Sequence, residues 1–293
     1  VKTAVFGYHA ARSVEEAVEL LAAYEGTARL LAGGQSLVPM MNMRLIRPDA
    51  LIDVNGLSDL DGIEFADDTT VIGALTRYTT LEHSSIIADR LPLVARMVRH
   101  IGDRQVRNRG TIGGSLVQGD PTGEMPLACT TLGASVRVVG PGGRREIPVE
   151  ELYEGSYATV LDPLEMVTHV VFRRRPALSA FAECCRRHND FAVVAVAAVA
   201  ERVGGGRVGQ VRVGLAGVND TTVLSPRSGE VLSGSVLGDG EIEEAAAAAT
   251  YVIDPPSDVR ASAEYRRHLV PIYVRRVLRD LRLDAGLSPE GSP

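Results

Sequence analysis

Residues 105–121 read QVRNRGTIGGSLVQGDP, and the reading of this stretch decides the fold. Its centre, Thr111-Ile112-Gly113-Gly114-Ser115, sets two residues without a Cβ beside hydroxyl side chains. Such a loop turns tightly and brings backbone N–H groups up to an anion. The polar run Arg104 to Arg109 lies on one side, and Gln118, Gly119, Asp120, Thr122, Gly123 and Glu124 on the other. That much polar chemistry suits phosphate, ribose and polar ring edges, and a carboxylate such as Glu124 accepts hydrogen bonds from ribose hydroxyls. A second glycine pair lies upstream in Ala32-Gly33-Gly34-Gln35-Ser36, at the end of the short apolar run Arg29-Leu30-Leu31. One such turn alone is more often structural than functional. Two together suit two phosphates, as in a dinucleotide.

A third glycine cluster, Gly204-Gly205-Gly206-Arg207-Val208-Gly209, matches G-x-G-x-x-G literally. The dinucleotide fingerprint demands a helix directly after it. Here the strand pattern Gln210-Val211-Arg212-Val213 follows, so this cluster reads as a hairpin turn.

The chain has 293 residues, 45% hydrophobic and 23% charged, with formal net charge −6. That is enough length for one large domain or for two to three smaller ones. The acidic balance argues against a general nucleic-acid surface. The longest apolar run, Phe191 to Ala200, is about half of the roughly 20 residues a membrane span needs. No signal peptide is expected in Val1 to Phe6, and the location expected is cytoplasmic. The three cysteines, Cys129, Cys184 and Cys185, form no C-x-x-C, so a four-cysteine cluster made by this chain alone is excluded. Cys129 reads as a small buried residue, and Cys184-Cys185 as neighbours on opposite faces of a strand. The six histidines lack metal-ligand spacing.

Hydrophobic periodicity fills in the elements. Ser13-Val14-Glu15-Glu16 is a capping box opening a helix to about Tyr24. Strands are expected at 29–32, 51–54, 70–74, 135–139, 145–147 and 166–172. Helices are expected over most of 80–102 and over 124–132. After Pro176 three antiparallel strands follow, at 181–186, 191–202 and 210–218. Helices come next at 239–253 and 262–283, the last expected to bend at Pro271.

The motifs together resemble one family, the FAD-binding medium subunits of molybdenum hydroxylases of the xanthine dehydrogenase and carbon monoxide dehydrogenase type. The resemblance covers about residues 3 to 285. It is carried by AGGQSLVPMMNMRLIRPDALIDV at 32–54, IGALT at 72–76, the run at 105–121, Asp190-Phe191-Ala192, and DPPSDVRASAEYRRHLV at 254–270. It implies an α+β fold whose residues 1–176 form a two-subdomain FAD-binding module of the vanillyl-alcohol-oxidase (PCMH) type, divided near residue 56. Residues 177–285 would form a smaller α+β C-terminal domain of the CO-dehydrogenase-flavoprotein type, with the three-stranded antiparallel sheet and helices. A flexible tail would follow at 286–293.

The resemblance also implies the site. Ala32, Gly33, Gly34, Gln35, Ser36 and Leu37 would hold the FAD pyrophosphate through backbone N–H groups. Thr111, Gly113, Gly114 and Ser115 would contact the flavin and pyrophosphate. Glu124 would meet the ribose or adenine side, Val167 would lie against the adenine half, and Asp190 and Phe191 complete the set. No catalytic side chain and no metal site are implied. One departure stands out. The segment before Asp190 usually carries a lysine that reaches the flavin, and Phe181-Ala182-Glu183-Cys184-Cys185-Arg186-Arg187-His188-Asn189 has none. Arg186, Arg187 or His188 are the candidates to replace its charge.

The implied function is an FAD-dependent oxidoreductase subunit. It would take electrons from a 2Fe-2S small subunit, which serves a molybdenum-cofactor large subunit, and pass them to an external acceptor. The alternative is a stand-alone FAD-dependent oxidase or dehydrogenase acting directly on a small molecule, and a third reading is a scaffold that has lost its flavin.

Overall fold

The computed structural model describes residues 2–187 and 189–287. His188, a candidate charge, and residues 288–293 of the expected tail lie outside the described residues.

The N-terminal unit is a small parallel sheet of β1 (Gly7–Ala10), β2 (Arg29–Leu31) and β3 (Ala50–Asp53), with β3 in the centre. Between the strands lie α1 (Val14–Ala23) and α2 (Leu37–Asn42). The Ser13 half of the capping box forms, its hydroxyl accepting from the Glu16 N–H at 3.0 Å, while the Glu16 carboxylate reaches one residue further back and accepts from the Arg12 N–H at 2.7 Å.

The second unit is an antiparallel sheet in the order β4-β5-β10-β6-β7. Its strands are β4 (Ile63–Ala66), β5 (Thr69–Gly73), β6 (Ser135–Gly140), β7 (Gly143–Pro148) and β10 (Met166–Phe172). A separate ribbon pairs β8 (Tyr153–Gly155) with β9 (Ala158–Thr159). The helices α3 (Tyr78–His83), α4 (Ser85–Arg90), α5 (Pro92–Met97), α6 (Arg104–Arg109), α7 (Ile112–Gln118) and α8 (Glu124–Leu132) join β5 to β6.

The third unit is an antiparallel sheet of β11 (Leu178–Cys185), β12 (Ala192–Arg202), β13 (Val208–Ala216) and β14 (Val223–Leu224). With it go α9 (Pro226–Leu232), α10 (Asp239–Ala248) and α11 (Ala263–Asp284). The sheet corrects the three-stranded expectation by one strand. β14 is only two residues long, too short to leave an alternation in the sequence. α11 runs as one continuous helix with Pro271 inside it. Gly204 to Gly206 turn the β12–β13 hairpin, with Gly205 and Gly206 at positive φ, as read from the sequence.

β12 explains how the units join. Its residues Ala192 to Ala200 are all buried. Ala195, Ala197 and Val199 face the core built by α5, α7, α8 and β10, while Val194, Val196 and Ala198 face α11 and its neighbours. A strand covered on both faces reads as a continuous apolar run rather than an alternation, which is how Ala192-Val193-Val194-Ala195-Val196 reads. The C-terminal sheet therefore closes the core of the second unit. Cys185 packs with the first of these cores and Cys184 with the second, the opposite faces expected of them, and Cys129 is fully buried.

Candidate functional site

The two glycine pairs meet, although the chain between them is long. Gly33 is buried, and a Cβ built on it would lie 2.2 Å from the Arg109 carbonyl oxygen and 2.9 Å from Gly110 Cα. Only a residue without a side chain lets the first loop lie on the backbone leading into the second. Gly34 beside it has φ +71. The junction is pinned by polar groups from the segments that follow β3 and β5. The Asn55 amide donates to the Leu31 carbonyl at 3.1 Å and to the Ala32 carbonyl at 3.0 Å. The Arg77 guanidinium then bridges the Asn55 side-chain oxygen and the Arg109 carbonyl. Asn55 and Arg77 were not singled out in the sequence, though each directly follows a motif stretch, at 32–54 and 72–76.

The two loops do different work. In the first, the N–H groups of Gln35, Ser36 and Leu37 have no hydrogen-bond partner among the described residues. Gln35 and Ser36 are exposed. Three consecutive free amides make a concavity suited to an anion. The second pair is not a loop but the first turn of α7. Thr111 caps it, its hydroxyl accepting from the Gly114 N–H at 3.1 Å. The Ile112 N–H goes to the Thr76 carbonyl, the Gly113 N–H to Ala74 and the Ser115 N–H to Thr111. The expectation that this pair also offers free amides is therefore corrected: those of Ile112 and Gly113 dock α7 on residues 74–76, and those of Gly114 and Ser115 are taken by Thr111. Gly113 is buried against Ala74, where a Cβ would sit 2.5 Å from Ala74 Cβ. Gly114 is exposed, and a Cβ there would meet nothing within 4 Å except the Thr111 hydroxyl. What the second pair presents is a smooth, side-chain-free surface at Gly114 next to Ser115.

Glu124 opens α8 at the far end of the same segment. Its carboxyl is pushed up to about 8, by burial above all, with repulsion from Glu183 and Asp120 adding to it and its own N–H and His100 opposing. At neutral pH it is a carboxylic acid that donates a hydrogen bond as well as accepting one. The sequence reading gave it only the acceptor's part.

Around Glu124 stands a pair that the sequence did not reveal. His100 Nδ1 lies 2.8 Å from the Glu183 carboxylate, and the imidazole meets the Phe181 ring edge-on at 5.0 Å between centroids. The Glu183 hydrogen bond raises the His100 pKa, with burial working against it. The other Glu183 oxygen, Oε2, is buried with no partner. The Cys185 thiol is held well above its ordinary value by burial and by Glu183.

The remaining expected residues come from β10 and from the connection between β11 and β12. Val167 is buried in the core with Ile112 and Leu116. Asp190 accepts from the Phe191 N–H at 2.8 Å, and the half-exposed Phe191 ring lies under the Arg260 guanidinium at 4.5 Å. Arg186 and Arg187 are exposed, and Arg186 donates to the Val259 carbonyl. A cleft of about 610 Å³, lined by Arg12, Arg137, Arg144 and His169 among others, touches neither glycine pair.

Joined glycine pairs with three free amides, a half-buried carboxylic acid nearby and an α+β frame suit an anionic cofactor, and comparison with known proteins says which one. Residues 4–172 match the FAD binding domain in molybdopterin dehydrogenase, and residues 179–281 match the CO dehydrogenase flavoprotein C-terminal domain. The chain belongs to the FAD-binding medium subunits of the molybdenum hydroxylase family, and its cofactor is FAD. It is 36% identical over 280 residues to the 6-hydroxypseudooxynicotine dehydrogenase complex subunit alpha of Paenarthrobacter nicotinovorans, covering 95% of both chains. It is 37% identical over 278 residues to the carbon monoxide dehydrogenase medium chain of Hydrogenophaga pseudoflava, covering 93% of this chain and 96% of that one. A solved structure of carbon monoxide dehydrogenase from the same organism superposes with TM-score 0.93 at 35% identity, over 97% of this chain and 99% of that one. These relatives are named as a subunit or medium chain of a larger enzyme, and the stand-alone alternative has no counterpart among them. No helix among the described residues is long and apolar enough to cross a membrane.

Proposed function

We propose that the chain works inside a cytoplasmic enzyme complex, carrying FAD between a 2Fe-2S small subunit that delivers electrons and an external acceptor that removes them. A large subunit with a molybdenum cofactor would oxidise the substrate. The observation that carries this reading is the joining of the two glycine pairs, with free amides on one side and the open Gly114 surface on the other.

In this reading Ala32, Gly33, Gly34, Gln35, Ser36 and Leu37 receive the pyrophosphate. Gly33 spends its missing Cβ on joining the loops, and the amides of Gln35, Ser36 and Leu37 take the charge. Thr111 and Gly113 position α7, while Gly114 and Ser115 form the surface along which the cofactor lies. Glu124, protonated, donates to a carbonyl or ring nitrogen of the cofactor. Val167 supports the floor from within the core, and Asp190 shapes the turn that presents Phe191 at the mouth. FAD, when bound, supplies the electron-transfer chemistry; the chain supplies binding, orientation and electrostatics.

Affinity isolation of the full chain from its native cell tests this. FAD, iron and molybdenum should travel with it in one complex. Isolation of the chain alone with FAD, turning over an organic substrate without partners, would overturn the subunit reading.

A further inference from the structure

We infer that the C-terminal unit sets the position of Glu124: β13 is the rail on which α8 lies, and Arg266 is the positioning residue that locks the site end of that rail. The inference rests on the FAD reading above, in which Gly114 and Glu124 face the cofactor. Both belong to one continuous stretch, made of α7, the turn 119–123 and α8. Whatever holds the turn and α8 therefore decides where Glu124 stands relative to Gly114. The FAD-binding module, residues 4–172, contains this whole stretch, but the bed under α8 lies outside it. Met125 to Leu132 are all buried, and α8 packs on β12, β13 and β14. β13 meets it with alternate residues. Arg212 donates to the Thr131 and Thr130 carbonyls at 2.8 and 2.9 Å and so closes the last turn of α8. Gly214 lies under the helix, where a Cβ would sit 2.1 Å from the Thr131 hydroxyl oxygen and 3.0 Å from Leu127 Cδ1. Only a residue without a side chain lets α8 lie that close. Ala216 packs in the same core as Leu127 and Leu132.

The rail ends at the site. Gly217 directly follows β13, and its N–H donates to the Pro121 carbonyl at 2.9 Å, catching the turn just ahead of Glu124. Gly217 has φ +75, and a Cβ on it would lie 2.5 Å from the Val193 carbonyl oxygen. The end of β13 and the start of β12 thus meet without a side chain between them. The Arg266 guanidinium sews them together: it donates to the Val193 carbonyl, to the Gly217 carbonyl at 2.9 Å and to Asp258 at 2.8 Å. The other grip on the turn comes from the β8–β9 ribbon. The Tyr157 N–H donates to the Gly119 carbonyl at 2.9 Å, and the Tyr157 hydroxyl to Asp120 at 3.3 Å. With Arg266 gone, the turn is held at its start alone, and Glu124 follows the loose end. A second buried arginine on the same helix supplies the contrast. Arg282, 6% exposed, lies about 24 Å further along α11 at 1.5 Å per residue. It donates to the Leu237 carbonyl at 3.2 Å and to Asp239 at 2.8 Å, by the start of α10.

The test is FAD titration of the full chain by flavin fluorescence, with melting temperature and the visible circular dichroism of bound flavin read on the same samples. Arg266→Met should bind FAD about tenfold more weakly, the size of one hydrogen bond's contribution, and should change the flavin's dichroism bands. Arg282→Met should also lower the melting temperature, yet bind FAD within about twofold of the wild type with unchanged bands. Gly214→Ala pushes α8 off β13 without touching a charge, and it too should weaken FAD by about tenfold. Arg266→Lys, which keeps a donor, should fall between Arg266→Met and the wild type. Arg266→Met and Gly214→Ala chains that both bind FAD as the wild type does would overturn the inference. So would an Arg282→Met chain that loses as much FAD affinity as Arg266→Met, because the loss would then follow stability alone. If Arg266→Met does not fold, Gly214→Ala and Arg266→Lys decide by the same measure. A wild-type chain that takes up no FAD would instead sink the cofactor reading beneath it.

Discussion

Replacing Gly33 with alanine separates what the first glycine pair does from what an ordinary turn would do. The new Cβ would sit 2.2 Å from the Arg109 carbonyl oxygen, where real contacts need more than 3 Å. One of the two backbones must therefore retreat by about 1 Å, a typical overpacking displacement costing about 1–3 kcal/mol. Neither side can give freely. Arg109 O is held by Arg77, and the first loop is held through Leu31 and Ala32 by Asn55. In a domain of this size that cost lowers the melting temperature by about 2–10 °C. The same displacement pulls the free amides of Gln35 to Leu37 away from Gly114, so FAD affinity should fall by roughly tenfold or more, at 1.4 kcal/mol per decade. Differential scanning fluorimetry and flavin-fluorescence titration read the two effects on one sample. A Gly33→Ala chain with unchanged melting temperature and unchanged FAD affinity would refute the reasoning.

Two further outcomes follow from buried charge. Glu124 binds its proton more tightly in the folded chain than in the unfolded one. The stability this brings is complete below the ordinary carboxyl range and is lost as pH rises through about 8. The full linkage is about 5 kcal/mol, and partial solvent access reduces it to about 2 kcal/mol. Urea denaturation of the FAD-free chain should therefore show the wild type losing about that much between pH 5 and 9 relative to Glu124→Gln; parallel pH profiles would contradict it. Arg266 is 1% exposed and donates to the Val193 and Gly217 carbonyls and to Asp258. Arg266→Met should cost about 3 kcal/mol by leaving those acceptors unpaired, and a change below 1 kcal/mol by the same denaturation would argue against its role as the anchor of residues 254–262.

Local signals carried most of the fold. The helix cap at Ser13, the apolar run of β12, the hairpin at Gly204 to Gly206 and the helix at Glu124–Leu132 each arise from neighbours in sequence, and each stands where it was expected. α6 and α7 were not legible as helices. A polar run and a glycine pair both lack apolar periodicity, and what makes them helical is capping by Asp103 and Thr111 and docking on residues 74–76. The site was half legible. Gly33, Gly34, Thr111 and Gly114 stood out by type, but which glycine serves packing and which serves a ligand depends on what a Cβ would meet. The His100–Glu183 pair spans 83 residues, and no spacing rule links a strand glutamate to a histidine at the end of a distant turn. The same distance kept the protonation of Glu124 out of view, because burial and Glu183 together cause it.

The most direct measurement is FAD uptake by the purified full chain, wild type against Gly114→Val, followed by flavin absorbance after gel filtration. Valine covers the exposed Gly114 surface while leaving the Gly33 and Gly113 junctions untouched, and its one close neighbour is the Thr111 hydroxyl at 2.8 Å from the new Cβ. The account predicts stoichiometric FAD in the wild type and none in Gly114→Val, with circular dichroism showing both folded. Stoichiometric FAD in the folded valine variant would contradict it.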